Sequence, residues 1–282
     1  MTRIFFNRAV LIAFAFAIFV VPYNSVHAQS DEVKSARDKV TESADKLTKL
    51  KAEAVAPLDE LSVKKTALKG VLDLSLAEAK NLYDQVSMFE EHESELVILQ
   101  QELLDNLQSF TAHLVAEKTR FEGVTDIDGI KLFAQTLNNW RTNVYNPEVT
   151  KAIEFRLVMR TQEVLKTTDE RFIRLSQLVK RTKSIQGKTG EGETLLNQAA
   201  RNIKDARIAY GEARQALIGY VPVVESNAIG LIVPSISKGE IAKPIALPEK
   251  RRISDLVGDA FMSLKGAYDS FLKLARLIVA AQ

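Results

Sequence analysis

The residues with the most chemical promise lie in one short stretch, RTKSIQGKTGEGETLLNQ, residues 181–198. Gly187-Lys188-Thr189 matches the end of a phosphate-binding loop, in which glycine amides and a lysine cradle phosphate oxygens and a threonine hydroxyl serves a magnesium ion. The full motif needs a glycine five residues earlier, and that position is Thr182. It also needs a buried strand ahead of the loop. The residues there, RLSQLVKRTKS, read as a polar-ended helix, and no strand-rich βαβ pattern occurs anywhere. Gly187, Gly190 and Gly192 read instead as the connector of a helical hairpin, with Gly187 as a helix C-cap.

Histidine chemistry is equally sparse. His27 falls in the N-terminal leader, which leaves His92 and His113. Three heptads separate them, or about 30 Å on one continuous helix, too far to share a metal ion. His92 sits among acids in FEEHESE, but a charge run on a helix ordinarily faces water. The Glu-x-x-His pair of di-iron bundles is absent, because Phe89 and Phe110 stand three residues before the two histidines. The chain has no cysteine, which excludes thiolate metal sites and cysteine nucleophiles. No serine stands with a histidine and an acid in a nucleophile pattern, and the carboxylates scatter over polar faces. We assign no catalytic, cofactor-binding or metal-ligating residue, and read the chain as no enzyme.

The leader MTRIFFNRAVLIAFAFAIFVVPYNSVHAQS sets the compartment. Arg3 and Arg8 precede an apolar run from Ala9 to Val21, Pro22 ends it, and Val26-His27-Ala28 offers small residues for cleavage. A spanning helix needs about 17–25 apolar residues, so 1–28 reads as a cleaved secretory signal peptide rather than an anchor. The expected destination is the periplasm, the cell surface or the extracellular space. The full chain carries 38 Lys plus Arg and 36 Asp plus Glu, and removing 1–28 takes Arg3, Arg8 and no acid, which leaves 36 of each. A neutral chain has no clustered cationic charge with which to hold a phosphate backbone, so nucleic acid is not an expected partner.

The elements that would position any site are helices. Val33, Val40, Leu47 and Ala54 recur every seven residues, with Ala36 and Leu50 between. From residue 68, Leu68, Leu82, Phe89, Leu96, Leu103 and Phe110 form one row, and Leu72, Ala79, Val86, Leu107 and Leu114 a second. Such rows mark the seam of a coiled coil or bundle helix. Unbroken from 58 to 121, this helix would be about 90 Å long, with Gly70 as a bend or weak point. Glu93 and Gln100 interrupt the seam, and a polar seam residue ordinarily fixes register or partner choice. Trp140 reads as a core anchor.

Residues 123–129, GVTDIDG, read as a turn before a short amphipathic helix of Ile130, Phe133, Leu137 and Trp140. Asn146-Pro147 reads as an N-cap and a fresh helix start, and Thr167-Thr168-Asp169-Glu170 as a capping box that divides the next helix. Rows through Leu196, Ala199, Ile203, Ala206, Tyr210, Ala213 and Leu217, and through Ile253, Val257, Ala260, Leu264, Ala267, Phe271 and Leu274, mark two more helices.

Between them lies 221–250, with four prolines, no helical period and an apolar composition. Its leading reading is a linker laid against the bundle. The expected organisation is all-α: signal peptide 1–28, an elongated antiparallel bundle or coiled-coil hairpins over 29–220, a Pro-rich apolar insertion at 221–250, and a C-terminal helix over 251–282 packed on the bundle. The expected role is non-enzymatic contact, through helix seams, with a second copy or another envelope protein as structural element, adaptor or scaffold. A membrane-active protein that inserts 221–247 into lipid is the alternative. Glu225, Lys238, Glu240 and Lys243 count against it, since each charge costs about 2.5–3.5 kcal/mol or more in hydrocarbon.

Overall fold

The structure is a computed structural model that describes residues 31–52, 57–90, 94–186, 190–219 and 251–280. The leader 1–28, His92, Glu93, Ala54, Gly187-Lys188-Thr189 and 221–250 lie outside the described residues, as do the side chains of Leu47 and Leu50. Among the described residues all regular structure is helical: α1 (Asp31–Ala52), α2 (Pro57–Ser87), α3 (Ser94–Glu122), α4 (Ile127–Trp140), a π turn (Arg141–Tyr145), α5 (Asn146–Gln186), α6 (Gly190–Ile218) and α7 (Ile253–Ala280). The protein is an all-α helical bundle. No described helix is long and apolar enough to cross a membrane. The chain divides into two compact units, Met1–Ala152 and Ile153–Gln282, with the division inside α5.

In the first unit, successive helices run antiparallel. Val40 of α1 packs where α2 has Gly70: a Cβ there would lie 3.4 Å from Val40 Cγ2. Gly70 is therefore a point of close helix approach rather than a bend. The long seam helix expected over 58–121 is broken. α2 ends at Ser87, α3 begins at Ser94, and the two fold back on each other, with Lys118 Nζ 2.6 Å from Asp73 Oδ1. Both apolar rows survive the reversal, so Leu72, Leu82 and Val86 on α2 and Leu96, Leu103 and Leu114 on α3 are all buried.

Gln100 explains how the reversal is held. Its Nε2 donates to the carbonyls of Val86 and Phe89, at 2.8 and 2.9 Å. The last carbonyls of a helix have no intrahelical partner. A seam glutamine on α3 thus closes the end of α2.

The start of α4 is conventional: the Asp126 carboxylate accepts from the Gly129 N–H at 2.7 Å, satisfying an orphan amide. Its end is not. Asn146 has helical backbone angles and donates to the Arg141 carbonyl, five residues back. The chain passes from α4 into α5 without the restart expected at Asn146-Pro147. Two physical reasons coincide. Proline inside an α-helix clashes with the carbonyl four residues before it, here Asn143, and a widened turn relieves that contact. The buried row Phe133, Leu137, Arg141, Tyr145, Val149 is also spaced by fours throughout. At 3.6 residues per turn, each step of four overshoots by about 40°, so four steps would carry the row about 160° round the helix. The π turn, with its one extra residue, takes up about 100° of that excess.

The second unit is a three-helix arrangement. α6 runs antiparallel to α5: Tyr210 Oη meets Gln162 Oε1 at 3.1 Å, and Arg207 meets Asp169 at 2.7 Å. α7 runs antiparallel to α6, with Ala206, Ala209, Ala260, Leu264 and Leu165 forming one buried cluster and Ala199, Ile203, Ala267 and Phe271 another. The capping box expected at 167–170 is not one. Thr167 and Thr168 donate back to the carbonyls of Glu163 and Val164 at 3.0 and 2.7 Å, and α5 is continuous through them.

Candidate functional site

The first unit contains a polar node where an apolar core would be expected. Arg141 is 9% exposed, Tyr145 1% and Ser75 0%. α2 supplies Ser75 and Glu78, and the π turn supplies Arg141 and Tyr145. Arg141 Nη1 donates to the Ser75 hydroxyl. The Ser75 hydroxyl donates to the Val71 carbonyl at 2.8 Å. The Tyr145 hydroxyl donates to the Ser75 carbonyl, also at 2.8 Å. The Arg141 guanidinium carbon lies 5.4 Å from the Tyr145 ring centre, within cation–π range.

Burial pushes the Glu78 carboxyl above the ordinary carboxylate value, and the charges of Arg141 and Arg37 pull it back. Burial likewise lowers the Arg141 guanidinium against the opposing effect of Glu78. These opposed influences describe a desolvated charge pair, whose attraction offsets a large hydration loss only with good geometry and further hydrogen bonds. The Ser75 hydroxyl supplies one such bond by accepting from Arg141 Nη1.

An aromatic group adjoins the node. The Trp140 ring centre lies 5.7 Å from Phe110, 5.4 Å from Tyr145 and 4.3 Å from the imidazole of His113. Trp140 is half-buried, at the margin of the core rather than the core anchor expected of it, and His113 packs against it. Among the described residues, no group of three or more His, Asp and Glu is placed to share a metal ion.

Among the described residues, two surface grooves stand open. One, of about 460 Å³, lies between α1 and α2 and includes Asp31, Glu32, Lys39, Gly70 and Asp73. The other, about 370 Å³, lies along α6 and α7 and includes Asp205, Ile208, Glu212, Arg251, Asp259 and Met262. In the second unit, the Glu154 carboxyl is pushed up by burial, and its Oε2 meets no hydrogen-bond partner among the described residues.

The node residues were not singled out by sequence reasoning, yet a signal existed. The heptad row Leu68, Leu82 skips one position, and that position is Ser75. A polar residue in a gap of an apolar row, like Gln100, marks a buried hydrogen-bond requirement. Nothing comparable pointed to Arg141. Comparison with known protein families, with curated proteins and with solved structures finds no match to this chain.

Chemically, the node is a cluster of buried, hydrogen-bonded groups on packed helices. It can fix the register of α2 against the π turn, which is the best-attested use of a buried polar pair.

Proposed function

We propose that the chain is an exported, non-enzymatic helical protein of the cell envelope that acts by contact with a second copy of itself or with another envelope protein, as adaptor, scaffold or structural element. Export rests on the leader 1–28, with its cationic start, short apolar run and small residues at the cleavage position.

One observation carries the contact reading: large apolar side chains remain on helix faces outside the packed rows. Ile98 of α3 is 68% exposed and Leu132 of α4 66%, and Ile173 of α5 and Leu272 of α7 are also exposed. Covering such a side chain is worth about 1.5–3 kcal/mol, so a partner that covers several gains real affinity. The neutral charge balance favours a protein partner over nucleic acid.

The test is site-specific photocrosslinking in native cells, with the reactive group placed in turn at 98, 132, 173 and 272. At least one position is expected to yield a discrete protein adduct. Correctly exported, folded protein that yields no adduct at any of the four would overturn the reading.

A further inference from the structure

The neutral balance of the chain hides a division between its two units. Residues 29–152 hold 15 Lys plus Arg and 22 Asp plus Glu, whereas 153–282 hold 21 and 14. The difference reaches two exposed helix faces. On α3, Glu95, Ile98, Glu102 and Asp105 are all exposed, and their spacing of three, four and three residues places them in one stripe. On α5, Arg171, Arg174, Leu178 and Arg181 are exposed with the identical spacing. No acid occurs from Arg171 to the end of α5 at Gln186. Each stripe covers about 15 Å of helix. Ile98 is 68% exposed and Leu178 44%, so each stripe sets one large apolar side chain among charges of a single sign.

We propose that the α3 stripe of one copy docks on the α5 stripe of a second copy, with the two helices antiparallel. The direction follows from the residues. Run antiparallel, Glu95 meets Arg181, Ile98 meets Leu178, Glu102 meets Arg174 and Asp105 meets Arg171. All four positions match, as three acid–base pairs and one apolar pair. Run parallel, Ile98 would meet Arg174 and Glu102 would meet Leu178, which are two mismatches. The apolar pair lies within the charged pairs, and those charges fix register and direction as e and g charges do between coiled-coil helices. Existing contacts leave the stripes accessible. Glu102 accepts from Lys151 at 3.1 Å, yet its side chain stays 53% exposed. Asp105 accepts from the neighbouring Gln101 amide, and a carboxylate has room for further donors. Arg171 rests over the Tyr268 ring of α7 at 5.1 Å. Exposed ion pairs are weak singly, so the opposite charges of the units matter chiefly by steering one copy onto the other. The proposal rests on the contact reading and narrows its partner to a second copy.

The absence of cysteine makes the test direct. Full-length Ile98→Cys protein is mixed with full-length Leu178→Cys protein and oxidised, and the joined peptides are identified by mass spectrometry. The control mixes Ala112→Cys with Leu178→Cys. Ala112 is also exposed on α3, two heptads or about 21 Å from position 98, and a disulfide needs Cα atoms within about 7 Å. The 98–178 disulfide is expected to form at least tenfold faster than the control, and equal rates overturn the proposal. A second measurement exchanges charges. By sedimentation equilibrium, Asp105→Arg and Arg171→Asp should each weaken self-association at least fivefold, and the two in one chain should restore it to within about twofold. Wild type that stays monomeric, single variants that associate like wild type, or a double variant no stronger than the singles each overturn the proposal. The contact reading survives those results where photocrosslinking at position 98 captures a different protein, so the two fail separately.

Discussion

The two units bury different things at their centres. The first closes around Arg141, Ser75 and Tyr145, with Phe110 and Trp140 packed alongside. The second closes on alanine: Ala199, Ala206, Ala213, Ala260 and Ala267 are all 0% exposed. Small side chains permit interaxial distances near the lower end of the usual 8–10 Å. Uniqueness in the first unit comes from polar groups that must find one another. In the second, small alanines fill the buried helix contacts, and at Gly266 an added Cβ would meet the Asn202 side chain. The difference shows that a heptad-like row specifies that helices pair, whereas the exceptions within it specify how.

The largest effect should come from breaking the polar centre. Arg141→Ala leaves Glu78 without its strongest countercharge and deprives the Ser75 hydroxyl of a donor. Removing one partner of a buried pair costs about 3–5 kcal/mol. Trp140 is the sole tryptophan and lies in the first unit, so its fluorescence in a urea titration reads that unit alone. A loss below about 1 kcal/mol would mean that the node is incidental.

Two glycines in α7 probe the close-packed centre. At Gly266 a Cβ would lie 2.7 Å from Asn202 Nδ2 and 3.2 Å from Asn202 Cγ, whereas at Gly258 nothing lies within 4 Å. Gly258→Ala should therefore stabilise by about 0.5–1 kcal/mol through helix propensity. Gly266→Ala should lose that gain and about 1 kcal/mol more through overpacking. Thermal melts followed by circular dichroism would rank them, and the reverse order would refute close approach at Gly266.

The smallest effect is a slope with pH. Because burial raises the folded-state value of Glu78, the folded unit holds that proton more tightly than the unfolded chain does. The contribution is complete below the unfolded carboxylate value, about 4.3, and is lost as pH rises through the folded value. As pH falls through this window, wild type should gain stability relative to Glu78→Gln by the Trp140 signal. A constant difference would show that Glu78 does not titrate in it.

Much of this fold was legible because apolar rows survive whatever the chain does between them. Val33, Val40, Leu68, Leu72, Ile203, Leu264 and Phe271 are buried as their spacing predicts. The reversal between α2 and α3 was hidden for the same reason: Phe89 and Leu96 stay in phase across it, and no proline or glycine marks the bend. Asn146-Pro147 misleads because a proline that opens a helix and one accommodated by a π turn look alike locally. Thr167 and Thr168 mislead because a hydroxyl that can cap an amide can equally bond back to a carbonyl. Of the node, Ser75 left a gap in a row, while Arg141 and Glu78 resemble ordinary surface charges until the third dimension surrounds them.

The turn at Arg141–Tyr145 also bears on which changes of chain length the protein tolerates. It holds one residue more than an α-helical turn would. Deleting Thr142 or Asn143, both exposed, would let the helix return to ordinary pitch while Val149 and Ala152 keep facing inward. The same deletion in the middle of α3 would swing every later side chain by about 100° and face the seam with its polar flank. Within this helical run, Thr142 and Asn143 are therefore the positions where a deletion is best absorbed, between two residues of the buried node.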